Sequence, residues 1–418
     1  MQETTQTQSR PSRRLSYGWM VVIAGFLVTL VAGNFQYSFG VFVKPLINRF
    51  GWSRAAISGC VTTRNVVSSI ANPVIGVLAD RYEPRNLVLI GVLLAGLSYI
   101  LTSRINSVWQ LYLFLGVLTG IAASTFVIPV VATATRSFGN RSAMANGILL
   151  SGFGMAQVII PPLATYLILA YSWETTYVVL GVAALLIAPV AWRLMRRPPR
   201  DGPLVERVSA EATQPSTTPP ATEDNYTLGE ALHTAALWGL LLSLVVVGAG
   251  YQIITVHIVA AAIDTGATPE AAAIIVTLSG ITNTMGRLVL GTVATRINGR
   301  IVLTASLATQ ALMFLALTRA SSLPAFYVIV SIHGLAYGGL VPLMPSLAAS
   351  FFGTKAIGAI FGMINTAYTV GGAFGPILAG YIFDVTGSYY IAFLAGAIII
   401  AITFVFSLTL RPPRRRTP

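Results

Sequence analysis

Of 418 residues, 55% are hydrophobic and only 9% are charged, and mean hydropathy is +0.75, far from the roughly 25% charged residues of an ordinary soluble domain. That balance excludes a water-soluble fold and points to a chain lying mostly in a lipid bilayer. The formal charge of +13 does not argue for a nucleic-acid partner, because the basic residues crowd into tails and turns, where positive charge sets membrane orientation and meets anionic lipid.

Residues 1–16 form a polar N-terminal tail, and the apolar run after them is too long for the core of a cleaved signal peptide. Near-apolar stretches of about 20 residues, the length a helix needs to cross about 30 Å of hydrocarbon, follow at about 19–44, 56–79, 86–103, 108–132, 144–168 and 175–195. Segment 197–228, "RPPRDGPLVERVSAEATQPSTTPPATEDNYTL", carries too much Pro, Thr and charge to bury a core and reads as a flexible linker. Six more stretches occupy about 236–262, 270–294, 301–318, 323–350, 357–382 and 388–409, and a basic tail covers 411–418. Such long, continuous runs are helices rather than the alternating strands of a barrel.

The predicted fold is therefore an all-α membrane protein with twelve transmembrane helices in two six-helix bundles, 17–196 and 229–410. With both termini and the linker on one side, that side receives most of the 26 Lys and Arg. The opposite loops hold Lys44, Arg49, Arg54, Arg104 and Arg319. The bias predicts cytoplasmic termini in the cytoplasmic (inner) membrane.

The two halves repeat each other. "GVLADRYEPRNLVL" from Gly76 aligns without gaps on "GTVATRINGRIVLT" from Gly291, and "FGNRSAMANG" at 138–147 meets "FGTKAIGAIFG" at 352–362 with one insertion. Gly76, Asp80, Arg81 and Arg85 resemble the signature between the second and third helices of the major facilitator superfamily. Within it, "YGW" at 17–19, "NFQYSFGVFVKPL" at 34–46, "SFGNRSAMANGILLSGFGMA" at 137–156 and "TMGRLVLG" at 284–291 resemble the monocarboxylate transporter and oxalate:formate antiporter group. The resemblance implies two pseudo-symmetric bundles that rock about a central site, and a small organic anion as cargo. It leaves a proton or a counter-anion as the coupled species.

Two basic residues stand inside apolar spans, Arg64 in the second and Arg287 in the eighth, and no Asp or Glu does. An arginine at mid-membrane costs about 2.5–3.5 kcal/mol on insertion scales and marks function by default. Arg287 lies eight residues, about 12 Å, from the start of the basic turn at Thr295 and Arg296, a long reach for snorkelling. The resembling families hold substrate with an arginine at this position, so Arg287 is the expected substrate residue. Arg64 lies in the outer third of its span; cargo contact, outer gating, snorkelling and an interhelical structural role all stay open.

Polar residues expected near the midplane complete the candidate cavity: Asn34, Gln36, Tyr37, His333, Tyr337, Asn365 and Tyr368. The resemblance departs in two places. Tyr37 stands where animal-type monocarboxylate transporters carry a lysine, and Tyr368 where oxalate:formate antiporters carry the lysine that holds the second carboxylate. That favours a monoanion, or a larger anion with a neutral second group, over oxalate. Asp80, facing the start of the eleventh span, is expected to latch the inner gate together with Arg81, Arg85 and Arg141. Thr295 replaces it in the second half, so an asymmetric latch is expected.

No metalloprotease, nucleophile-elbow or P-loop motif and no Cys/His cluster is present, so no enzyme, cofactor or metal is expected. Cys60 is the single cysteine and reads as packing. A monomer is expected. A neutral or amphiphilic solute, such as an aromatic compound or a vitamin, is the alternative cargo, whereas a cation site would need a membrane carboxylate.

Overall fold

A computed structural model describes residues 12–195 and 225–413. Most of the expected tails and linker, residues 1–11, 196–224 and 414–418, lie outside the described residues.

The first half contains α1 (Ser12–Tyr37), α2 (Phe39–Phe50), α3 (Arg54–Arg81), α4 (Pro84–Thr102), α5 (Val108–Leu111), α6 (Thr119–Phe138), α7 (Ser142–Ala170) and α8 (Trp173–Leu194). The second contains α9 (Leu228–Leu232), α10 (Ala235–Asp264), α11 (Pro269–Val293), α12 (Gly299–Leu317), α13 (Leu323–Phe352), α14 (Ile357–Thr386) and α15 (Tyr390–Ser407). Helices α1 and α2 form one span broken at Ser38, and α5 runs into α6 through a π-helical stretch, Tyr112–Leu118. The described helices therefore make twelve membrane-length spans, α9 being a short surface turn.

Ten stretches are long and apolar enough to cross a membrane by length and composition, one of them, Val108–Ala170, holding two spans. The second span, α3, fails that test because Arg64, Asn65, Ser68 and Asn72 lie along it. Arg64, Asn65 and Ser68 line the interior cavity, while Asn72 is buried. Lipid-facing positions are apolar and exposed, as at Ile70, Leu169 and Leu186.

Local chemistry sets the helix ends. Ser53, Ser172, Thr234 and Thr268 accept hydrogen bonds from backbone N–H groups of the first turns they precede, which are otherwise without intrahelical partners. The repeated Phe-Gly pairs end α6 and α13: Gly139 and Gly353 have φ of 50° and 75°, a region closed to most side chains.

Packing bears out the repeat. In the first half α1 pairs with α7, α3 with α6 and α4 with α8; in the second α10 pairs with α14, α11 with α13 and α12 with α15. The linker was expected to run to 228, but the chain is tied down from Asn225. Asn225 Oδ1 accepts from the Thr354 and Lys355 N–H groups, Tyr226 N–H donates to the Phe352 carbonyl, and Thr227 and Glu230 form a reciprocal cap on α9.

The halves meet along two seams, α3 against α14 and α7 against α11. On the first, Thr366 Oγ1 donates to the Ser69 carbonyl at 3.0 Å, and a Cβ on Gly358 would lie 2.6 Å from the Gly76 carbonyl oxygen. On the second, a Cβ on Gly291 would lie 3.0 Å from the Ala143 carbonyl oxygen. Small residues let these backbones approach closely.

Candidate functional site

Between the halves lies a cavity of about 1310 Å³, counting space open to solvent. Arg287 reaches it from α11. A Cβ on Gly338 would sit 3.0 Å from the Arg287 backbone nitrogen, and Gly147 abuts its carbonyl oxygen. Its backbone is thus wedged between α13 and α7. The side chain is only 5% exposed. Its Nε donates to Asn283 Oδ1 at 2.9 Å, its Nη1 donates to the Leu150 carbonyl, and its guanidinium lies 5.8 Å from the centre of the Phe153 ring. Most of its five N–H donors remain for an occupant of the cavity.

Nothing nearby neutralises that charge. Among the described residues the ion pairs are Arg85 with Glu83 and Arg136 with Asp80, both at the termini side, and no lining residue is acidic. Arg64 is the second guanidinium in the lining. It does not snorkel into lipid: its Nη2 donates to Gln36 Oε1 at 2.9 Å.

The break between α1 and α2 places Gln36 and Tyr37 at the cavity, and a 2.8 Å hydrogen bond between the Ser38 and Tyr99 hydroxyls pins the break. Opposite them, Tyr337 stacks on Tyr251 with centroids 3.9 Å apart, and its hydroxyl lies 2.6 Å from that of Tyr368. Asn365 lines the same space. Of the expected cavity residues, Arg287, Arg64, Gln36, Tyr37, Tyr337, Asn365 and Tyr368 are brought together.

Asn34 and His333 are not among the lining residues. His333 is 1% exposed and stacks on the far side of Tyr337 near Phe314, with neither ring nitrogen hydrogen-bonded; Asn34 is buried with its Oδ1 unpartnered. Both lie at the expected depth but turn into their own bundles. Conversely, Tyr251, Gln252, Asn65, Ser68 and Thr369 line the cavity without having been singled out. For the first two a signal existed: the 215-residue repeat offset carries Gln36 and Tyr37 onto Tyr251 and Gln252.

At the termini side Asp80 accepts from the Gly358 and Ala359 N–H groups, each at 2.8 Å, at the start of α14. Negative charge is favoured there by unpaired N–H groups and the helix dipole. Arg136 pairs with Asp80, and its Nε donates to the Thr354 carbonyl at 3.2 Å. Arg136 is the partner that chain reading missed. Of the other expected gate residues, Arg81 and Arg141 are exposed, and Arg85 lies over Trp192 within the first half. They do not join Asp80 in the contact. Thr295, at the equivalent place in the second half, donates instead to the Thr292 carbonyl within its own turn.

Comparison with known proteins agrees with the two-bundle fold. A family model described as the Major Facilitator Superfamily matches residues 25–262 and 240–418. Monocarboxylate transporter 13 of Bos taurus is 29% identical over 92% of the chain and 87% of its own length; monocarboxylate transporter 11 of Homo sapiens is 26% identical over 93% and 82%. Among solved structures, the proton:xylose symporter XylE bound to 6-bromo-6-deoxy-D-glucose aligns with a TM-score of 0.75 at 11% identity, covering 95% of this chain and 97% of its own. FucP in the outward conformation aligns at 0.73 and 14%, covering 94% and 98%. At such identities these two show the fold alone.

Proposed function

Because the chain belongs to the major facilitator superfamily, a family of transporters and not of enzymes, we propose that it is a secondary active transporter of a small organic anion. It works by alternating access in the cytoplasmic (inner) membrane, as a monomer with both termini cytoplasmic, and is coupled to a proton or a counter-anion. The observation that carries this reading is Arg287, a buried guanidinium with no carboxylate beside it. The similarity to proteins named monocarboxylate transporters supports the same cargo class.

The mechanism follows from charge. A carboxylate entering the cavity becomes the missing counterion of Arg287 and binds through paired hydrogen bonds. Sealing an unpaired guanidinium from water is costly, and pairing lowers that cost. Cargo therefore favours closure, after which the Asp80 contact opens and the site faces the other side.

An aromatic lining that includes Tyr37, Tyr251, Tyr337 and Phe153 favours a second reading, a neutral or amphiphilic solute such as an aromatic compound or a vitamin. A thermal-shift panel of formate, lactate, pyruvate, oxalate, benzoates and neutral analogues on purified protein separates the two. A ligand at 100 times its Kd stabilises by about 2.7 kcal/mol. Stabilisation by carboxylates supports the anion; stabilisation only by neutral analogues overturns it.

A further inference from the structure

Tyr368 leaves the eleventh span without a second positive charge for a dianion, yet the cavity holds one elsewhere. Arg64 reaches it from the opposite half and lines a second chamber of about 490 Å³, counting space open to solvent, among residues of the first half that include Phe35, Phe39, Tyr99 and Leu115. Arg64 and Gln36 border both spaces, so chamber and cavity adjoin through them. Leu115 belongs to the π-helical stretch, a local widening frequent at functional sites.

The two guanidiniums differ in depth. The repeat offset carries Arg287 onto Asn72, and Arg64 lies eight residues further along α3 from the Asp80 end, a displacement of about 12 Å. Both arginines line the same cavity, so a ligand that reaches both must span that difference in depth. Two positive charges, no acid in either lining, and unequal depth describe a site for an elongated anion charged at both ends.

We propose that the cargo is an α,ω-dicarboxylate longer than oxalate, with one carboxylate on Arg287 and the other on Arg64, bridging the two halves. This deepens the organic-anion reading and rests on it. Gln36 is the positioning residue: its Oε1 holds the Arg64 guanidinium at the boundary between the chambers. A molecule anchored to both bundles adds a direct tie between them to the closure that pairing at Arg287 alone already favours.

The test is binding to purified full-length protein of malonate, succinate, glutarate and adipate, each beside its half-amide, with lactate and propionate as monocarboxylates. The expected result is at least a tenfold preference for one of the longer diacids over its half-amide. That preference should collapse toward unity in Arg64→Gln and persist in part in Arg64→Lys, a variant that also reports on folding. Diacids binding no better than half-amides, or a preference unchanged in Arg64→Gln, overturns the proposal. If monocarboxylates still bind and Arg287→Gln abolishes that binding, only the second anchor fails. If no carboxylate binds at all, the anion reading fails with it. Two propionates binding per protein where one succinate binds would show two independent anion sites and overturn the bridge.

Discussion

At Arg287, charge and geometry are separable. Arg287→Lys keeps the charge and loses the planar fork, and one charged hydrogen bond is worth about 1.5–3 kcal/mol. Anion affinity should then fall by about tenfold to a hundredfold, read as a change in Kd for the best carboxylate. Arg287→Gln should abolish counterflow of a labelled anion in proteoliposomes while helical content stays normal. Transport near the wild-type rate would hand the site to the neutral solute. Arg287 was legible in the sequence because a cation in an apolar run stands out. His333 was not placed correctly, for a physical reason: in membrane helices both the lipid face and the packed face are apolar, so hydropathy gives depth but not rotation about the axis. Tyr251 escaped because a tyrosine in a span is ordinarily packing, and only the repeat offset marks it.

Helix ends and seams carry the next set of expectations. Asp80→Asn removes the charge that faces the α14 terminus and pairs with Arg136. A charge at a helix terminus is worth about 0.3–1 kcal/mol, and the ion pair is lost with it. A cysteine placed on the termini side of α14 should become several times more reactive, and turnover should fall more than binding. Unchanged turnover at normal expression would remove Asp80 from the gate. Gly358→Leu attacks the same seam by shape, since even its Cβ would lie 2.6 Å from both Asp80 Oδ1 and the Gly76 carbonyl oxygen. It should block closure on that side and abolish transport while cargo still binds; wild-type transport by this variant would show that the seam does not need to close. The loop signature made Asp80 visible, whereas Arg136, 56 residues further along the chain, was hidden because sequence separation says nothing about which helix ends converge. Likewise the span count was legible, but the break at Ser38 and the π-helical stretch were not, since both depend on neighbours such as Tyr99.

For the whole molecule, the basic bias predicts a side as well as a fold. A single cysteine within residues 197–224 in a cysteine-free background should react with a membrane-impermeant reagent only after the cytoplasmic face is exposed; labelling of intact cells would reverse the orientation. The bundles are matched in their internal helix pairings but not in how they hold each other. One seam is fastened by a carboxylate on N–H groups and an arginine, and Thr295 withholds the equivalent from the other, which relies on close backbone fit at Gly147 and Gly291 and on the hydrogen bond from Arg287 Nη1 to the Leu150 carbonyl. The molecule is thus a door with a clasp on one edge and a hinge on the other. In the alternating-access cycle proposed above, the charged clasp must be undone and remade each time, so the pace of opening toward the termini side is expected to belong to the α3–α14 edge. Arg287 stands on that second edge, with its carbonyl against Gly147; the residue proposed to meet the cargo would sit on the axle about which the door swings.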